Sequence, residues 1–224
     1  MLIMAVSLLP GCASVVATAG SGVAGNLTTA IMNQDDPETV RDGAPAYLLL
    51  LDSFIAGSPD NPAMLAAAAE LYAAYGVIFV ADEERADRLT QRALTYGQRS
   101  LCASNQSACG LHELKFQDFE TVLKKLDKKD AASLFTYSLS SIAFIKVHSD
   151  DWGAMTKLPG VEAALKRVKT LDPEYQAAQV EHYLAVLNTI RPPALGGNFE
   201  AGKAHFERAT ALSKGKDLSI SVDF

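Results

Sequence analysis

The sequence predicts an all-α protein built from antiparallel helix pairs, and three observations carry that prediction. Helix starts recur with one chemistry, because Asp36-Pro37, Asn61-Pro62 and Asp172-Pro173 each set a short acceptor side chain before a proline. The acceptor takes free N–H groups of a first turn, and the proline stands where its missing N–H costs nothing. Between such marks apolar residues recur at spacings of three and four, as in Leu65, Ala68, Ala69, Tyr72, Tyr75, Val77 and Phe79. A strand would alternate instead. Only Leu218 to Val222 shows a period of two, over a short stretch at the chain end.

Composition agrees with a folded helical domain. At 224 residues, 49% hydrophobic and 21% charged, the chain is neither disordered, collagen-like nor a polytopic membrane protein. A chain of this size hides roughly 70% of its unfolded surface, enough for a core without metal staples. Its 26 acidic and 20 basic side chains leave a net charge of −6, which argues against nucleic acid as a partner, since that affinity depends on neutralising phosphates.

Residues 1–11 read as a signal peptide, 12–30 as a lipidated cysteine with its tether, and 31–224 as the helical domain. The apolar run Met1 to Pro10 is about half the roughly 20 residues a membrane-spanning helix needs. It ends in Leu9-Pro10-Gly11-Cys12, which resembles the bacterial lipobox. That resemblance implies diacylation of the Cys12 thiol, and more than one acyl chain gives stable anchoring. A buried cysteine in an apolar helix is the plainer alternative, and no Lys or Arg precedes the run. Ala13 in place of Asp after the cysteine points, by the same sorting pattern, to the outer membrane. From Ala13 to Ala30 the chain is rich in Ala, Gly, Ser, Thr and Val and carries no charge, the composition of a flexible tether.

Along the body, Asp82, Asp130 and Asn198 are further cap candidates, and Gly57, Gly110 and Gly215 stand where helices should stop. Ala73 and Ala74 followed by Ala86 and Ala93 let two antiparallel helices approach closely, as tetratricopeptide repeats do. Leu171-Asp172-Pro173 resembles the terminal proline of such a repeat, and Gly202, Phe206 and Ala209 repeat its small, aromatic, small spacing. An ordinary alanine-rich bundle accounts for part of the same signal. Ala131 to Val147, with Leu134, Phe135, Leu139, Ile142, Ala143 and Ile145 and little charge, should be the most buried helix. The whole reads as roughly eight to ten helices with short connections.

Chemistry is sparse. Cys102 and Cys109 flank a polar loop, and in a chain the lipobox sends to an oxidising compartment a local disulfide is the natural reading. By the chain-entropy relation it stabilises by about 2–3 kcal/mol. A zinc site with His112 and a free thiol pair are the alternatives. His112, His148, His182 and His205 are scattered and form no paired-ligand motif. No Gly-x-Ser-x-Gly elbow, phosphate-cradling loop or dinucleotide fingerprint occurs, so neither cofactor nor catalysis is expected. Lys124 to Lys129 reads as a solvated helix end, and Glu83-Glu84 and Asp150-Asp151 as acids favoured at helix starts.

Two groups of residues are candidate contacts. Tyr47, Tyr72, Tyr75 and Phe79, with Phe135, Tyr137, Phe144 and Tyr183, would suit an apolar cavity, although aromatic residues at helical spacing also make plain core. Pro193, Leu195, Gly196 and Gly197 lie in a connection that two prolines stiffen and paired glycines open to close approach. A rigid connector is the simpler account of that loop.

Taken in order, Met32 to Tyr47, Leu50-Leu51-Asp52-Ser53, Gly57 to Asn61, Leu171 to Tyr175 and Pro193 to Gly197 resemble the TRAP-transporter T-component lipoprotein family (TatT). Its members are exported helical proteins with degenerate tetratricopeptide repeats, associated with tripartite ATP-independent periplasmic transporters. In those systems a soluble substrate-binding protein delivers organic acids or apolar ligands to a membrane permease. The resemblance implies a homo-oligomer, a trimer, whose protomers present a pore or groove to the substrate-binding protein; members of the family continue with more helices past the position of Phe224. Two other functions fit the residues: a scaffold lipoprotein of envelope assembly, and an exported hydrolase with an unrecognised site.

Overall fold

The structure is a computed structural model that describes residues 26, 29–30, 33–191, 193 and 196–223. The expected signal segment, Cys12, most of the tether and Leu195 lie outside the described residues. Among the described residues there are ten helices and no strand, as the all-α reading requires. They are α1 (Pro37–Gly57), α2 (Pro62–Ile78), α3 (Glu83–Ser104), α4 (Phe116–Leu123) and α5 (Ala131–Val147), then α6 (Trp152–Met155), α7 (Leu158–Leu171), α8 (Ala177–Ile190), α9 (Phe199–Ser213) and α10 (Leu218–Asp223).

Most helix starts follow the predicted chemistry. Asp36 accepts from the N–H groups of Glu38 and Thr39 at 3.1 and 3.3 Å, and Asn61 from those of Ala63 and Met64, both at 3.1 Å. Asp82 accepts from Arg85 and Asn198 from Ala201. Each side chain satisfies donors that a first turn leaves without intrahelical partners.

Three starts differ from expectation. Asp172 ends α7 rather than opening a helix, and α8 begins only at Ala177, after Gln176 in the left-handed region at φ 47°. The intervening turn, in which the Tyr175 N–H donates to the Asp172 carbonyl at 3.2 Å, sets the Tyr175 ring edge-on against Phe135. Asp130 makes no cap on α5. Its buried carboxylate instead accepts from Ser104 Oγ and Asn105 Nδ2, both at 2.9 Å, and from the Asp127 N–H at 3.0 Å, tying the end of α3 to the start of α5. Leu218–Asp223 is helical despite its alternation. Asp217 accepts from both the N–H and the hydroxyl of Ser219, and Ile220 is buried in a cluster with Ala185, Phe206 and Ala209.

Packing runs from pair to pair. Helix α2 packs mainly on α3, α3 on α5, α5 on α7, and α8 on α9, while α1 lies on α2. At the α3–α5 crossing a Cβ on Gly97 would stand 2.2 Å from Ser140 Oγ and 3.3 Å from the Thr136 carbonyl. Only glycine permits that approach. Helix α5 is heavily buried along its length, serines included, because neighbours cover it on several sides; Ser138 and Ser141 return their hydroxyls to the carbonyls of Leu134 and Tyr137. Three apolar clusters result among the described residues: one chiefly among α1, α2 and α3, a second from the end of α3 through α8, and the small one that joins α8, α9 and α10.

Candidate partner-binding surface

The connection after α8 is held from below. Arg191, 6% exposed, donates from Nε to the Leu187 carbonyl at 2.8 Å and from Nη2 to the Glu162 carboxylate. Glu162 also takes Lys166 Nζ at 2.7 Å. Burial alone would raise the Glu162 carboxyl, but the hydrogen bonds from Lys166 and Arg191 outweigh it and hold the pKa below the usual carboxylate value. Above this pair the chain folds back. The Gly196 N–H donates to the Pro193 carbonyl at 3.0 Å with Gly196 at φ 87°, and the Asn198 N–H donates to the Asn188 carbonyl at 2.9 Å. A Cβ on Gly197 would fall 1.8 Å from the Arg191 carbonyl oxygen. The glycines thus serve the local backbone: only a residue without a Cβ fits where Gly197 passes the Arg191 carbonyl.

Arg191 also lines an apolar pocket of about 110 Å³, together with Trp152, Met155, Thr156, Leu158 and Pro159. Trp152 is 65% exposed, held at the start of α6 by Asp151, whose carboxylate accepts from the Gly153 N–H at 2.7 Å. Thr156 also lines a second pocket of about 120 Å³ that reaches Leu114, Phe116, Phe119 and Tyr137. Sharing Thr156 makes the two neighbours across the α6–α7 turn, and Leu114 and Phe116 are themselves exposed. Exposed apolar surface rimmed by polar groups marks interaction sites, and tryptophan is among the residues enriched as energetic anchors of interfaces. Both pockets fall below the roughly 300 Å³ at which small-molecule sites begin.

The remaining predicted contacts lie elsewhere. Tyr72 and Tyr75 are buried in the N-terminal core. The Tyr72 hydroxyl donates to Asp52 at 2.8 Å, where the Tyr96 hydroxyl at 2.7 Å and Arg92 at 2.9 Å also converge. Burial first, and then the bond and charge of Asp52, push the Tyr96 phenol up to about 12. Tyr75 donates to the Arg41 carbonyl at 3.1 Å and packs on Phe79. Tyr47 is exposed on α1. Phe135 and Tyr183 pack together, Phe144 stacks on His148, and Tyr137 lines the second pocket. The Cys102 and Cys109 sulfurs are 2.04 Å apart, with Cα atoms at 4.4 Å. Sequence reasoning missed Trp152. It is the sole tryptophan, directly after an acidic pair, and its chemistry was visible though its exposure was not.

Successive helices packed on one another, with no strand among the described residues, define an all-α helical protein. The sequence model of the TRAP transporter T-component matches residues 33–224, and the chain belongs to that family. The chain matches no curated protein. Membership makes it an accessory component of TRAP transport, associated with a TRAP system in a periplasmic or membrane-associated location. No helix among the described residues is long and apolar enough to cross a membrane.

Proposed function

We propose that this protein is a periplasm-facing lipoprotein that docks the substrate-binding subunit of its TRAP system on the surface around Trp152. One observation carries the reading: an exposed tryptophan lines an apolar pocket whose wall includes Arg191, a buried side chain held by Glu162. Rigidity of that kind lowers the ordering cost of association. Small pocket volumes favour a protein over an organic-acid or apolar ligand as the occupant here. The lipobox-like Leu9 to Cys12 supports acylation of Cys12, and Ala13 supports the outer membrane as destination. A homotrimer is part of the same proposal, by likeness to the family.

Capture of the lipidated protein from membranes, followed by mass spectrometry, tests it. Recovery of the substrate-binding subunit with the permease is expected. Recovery of envelope-assembly factors without any transporter subunit would overturn the reading in favour of a scaffold lipoprotein. Metabolic labelling with a fatty acid should mark the wild-type chain and leave Cys12→Ser unlabelled.

A further inference from the structure

The chain passes from α5 to Trp152 through a turn that one histidine organises. His148 closes α5: its N–H donates to the Phe144 carbonyl at 3.1 Å, its ring stacks on Phe144 at 4.0 Å, and its carbonyl accepts from the Asp151 N–H at 3.0 Å. Asp151 then sets the start of α6, its carboxylate taking the Gly153 N–H and its carbonyl the Met155 N–H. Trp152 stands between those two bonds, so its placement depends on the turn, and the turn on His148.

Both ring nitrogens of His148 face acceptors. Nδ1 lies 2.9 Å from the Phe144 carbonyl oxygen, and Nε2 lies 2.9 Å from a carboxylate oxygen of Asp87 on α3. A neutral imidazole carries a single N–H and can donate to one of them only; the other contact then sets a ring lone pair against an oxygen. The imidazolium donates to both. Its side chain is 24% exposed and that of Asp87 48%, so protons reach the pair from solvent.

Other charges on the helices around α5 are engaged elsewhere. The one charged residue of α2, Glu70, accepts from Thr136 Oγ1 at 2.7 Å, about three turns before His148, and meets no basic side chain among the described residues. On α3, Glu84 pairs with Arg88 and Arg85 lies over the Tyr75 ring. On α7, Glu162 holds Lys166 and Arg191, Lys169 meets Glu181, and Arg167 donates to the Leu126 carbonyl. Glu83 on α3, Lys146 on α5 and Asp150 in the turn form no ion pair with the ring, which leaves Asp87 as its one ionic partner among the described residues.

We propose that His148 and Asp87 form a proton-dependent latch on the turn that presents Trp152, closed when the imidazole is protonated and loosened when it is neutral. Histidine is the side chain whose ordinary charge change falls between about pH 5 and 8. A contact that the protonated ring makes and the neutral ring cannot is present at lower pH and lost as pH rises. The latch stands on these contacts alone, whereas its effect on docking rests on the reading of Trp152 as the anchor. Docking should then be tighter at mildly acid than at alkaline pH.

Urea titrations of the full chain between about pH 5.5 and 8 test the latch, with the fluorescence anisotropy of Trp152, the sole tryptophan, as a second readout. Wild type should lose about a two- to fivefold advantage over His148→Gln in the unfolding equilibrium as pH rises, and its anisotropy should fall over the same range. Asp87→Asn keeps the side-chain shape without the charge and should flatten both profiles. A histidine that only closed the helix would be missed by the same factor at every pH. Parallel pH profiles for wild type and His148→Gln, or a folded Asp87→Asn with the wild-type profile, would overturn the latch. Titration of the substrate-binding subunit into the same proteins extends the test to docking, where Kd should rise with pH about two- to fivefold more for wild type than for His148→Gln. Equal pH dependence in the two would overturn the link to docking. No binding to either protein at any pH would overturn the docking reading, with the latch still decided by the urea and anisotropy profiles.

Discussion

The two ends of the molecule use aromatic residues in opposite ways. Around α1, α2 and α3, Tyr72, Tyr75 and Tyr96 turn inward and their hydroxyls anchor helices, two of them to Asp52 and one to the Arg41 carbonyl. Across the α4, α6 and α7 face, Phe116 and Trp152 are left in solvent beside shallow apolar pockets. The first region shows how a helix-repeat fold spends tyrosine on tethering, and the second shows surface that the fold has no use for. A side chain that stability does not require is the better functional candidate.

Stability measurements should separate the tethers from the free surface. Glu181→Ala should have the largest effect, about 2–3 kcal/mol, because Lys169, His205 and Arg208 lose their common partner while staying partly solvated. The same residue has a pH signature. Burial would raise the Glu181 carboxyl, but the bonds from Lys169, His205 and Arg208 hold it at about 2, against an ordinary 4.5. Its contribution is therefore complete above about 4.5 and is lost as pH falls toward 2. Urea titrations from neutral to acid pH should show that slope in wild type and a shallower one in Glu181→Gln.

Gly97→Ala should cost about 2 kcal/mol by forcing α3 away from α5, read as a lower denaturation midpoint with an unchanged slope. Asp52→Ala, which leaves the Tyr72 and Tyr96 hydroxyls without their acceptor, should cost about 1–2 kcal/mol. Glu70→Gln sharpens the comparison from the other side. Because burial raises the folded pKa of Glu70, its ionisation opposes folding as pH rises, and the variant should be at least as stable as wild type near neutral pH, with the difference shrinking as pH falls. Trp152→Ala should change stability least, within about 0.5 kcal/mol. A large loss there would mean that Trp152 belongs to the core after all.

Much of this was legible in the sequence. Asp36, Asn61, Asp82 and Asn198 cap helices where their residue types and spacing place them, since a cap is decided by a few neighbouring atoms. The burial of α5 followed from its apolar run. Asp172-Pro173 has the same dipeptide chemistry as Asp36-Pro37 yet ends a helix, because the turn after it carries Tyr175 to Phe135, a contact distant in sequence. Asp130 carries no sign in its neighbours that Ser104 and Asn105 will reach it from α3. Of the expected partner residues, Gly196 and Gly197 are accounted for by the backbone of the connection after α8, through the Gly196 bond to Pro193 and the close approach of Gly197 to Arg191. Trp152 could be recognised as unusual but not as exposed, because exposure depends on which helices leave it uncovered. Glu70 was readable as a lone charge in an alanine-rich helix, and its missing cation is a property of the assembled bundle.

Docking at the Trp152 face is the central claim, and titration of the purified substrate-binding subunit of the same transport system into wild type and Trp152→Ala tests it most directly. The account predicts saturable binding to wild type and at least about a tenfold rise in Kd for the variant, an anchor tryptophan being worth more than about 1.4 kcal/mol, while both proteins melt together. Equal affinity for wild type and variant would contradict it.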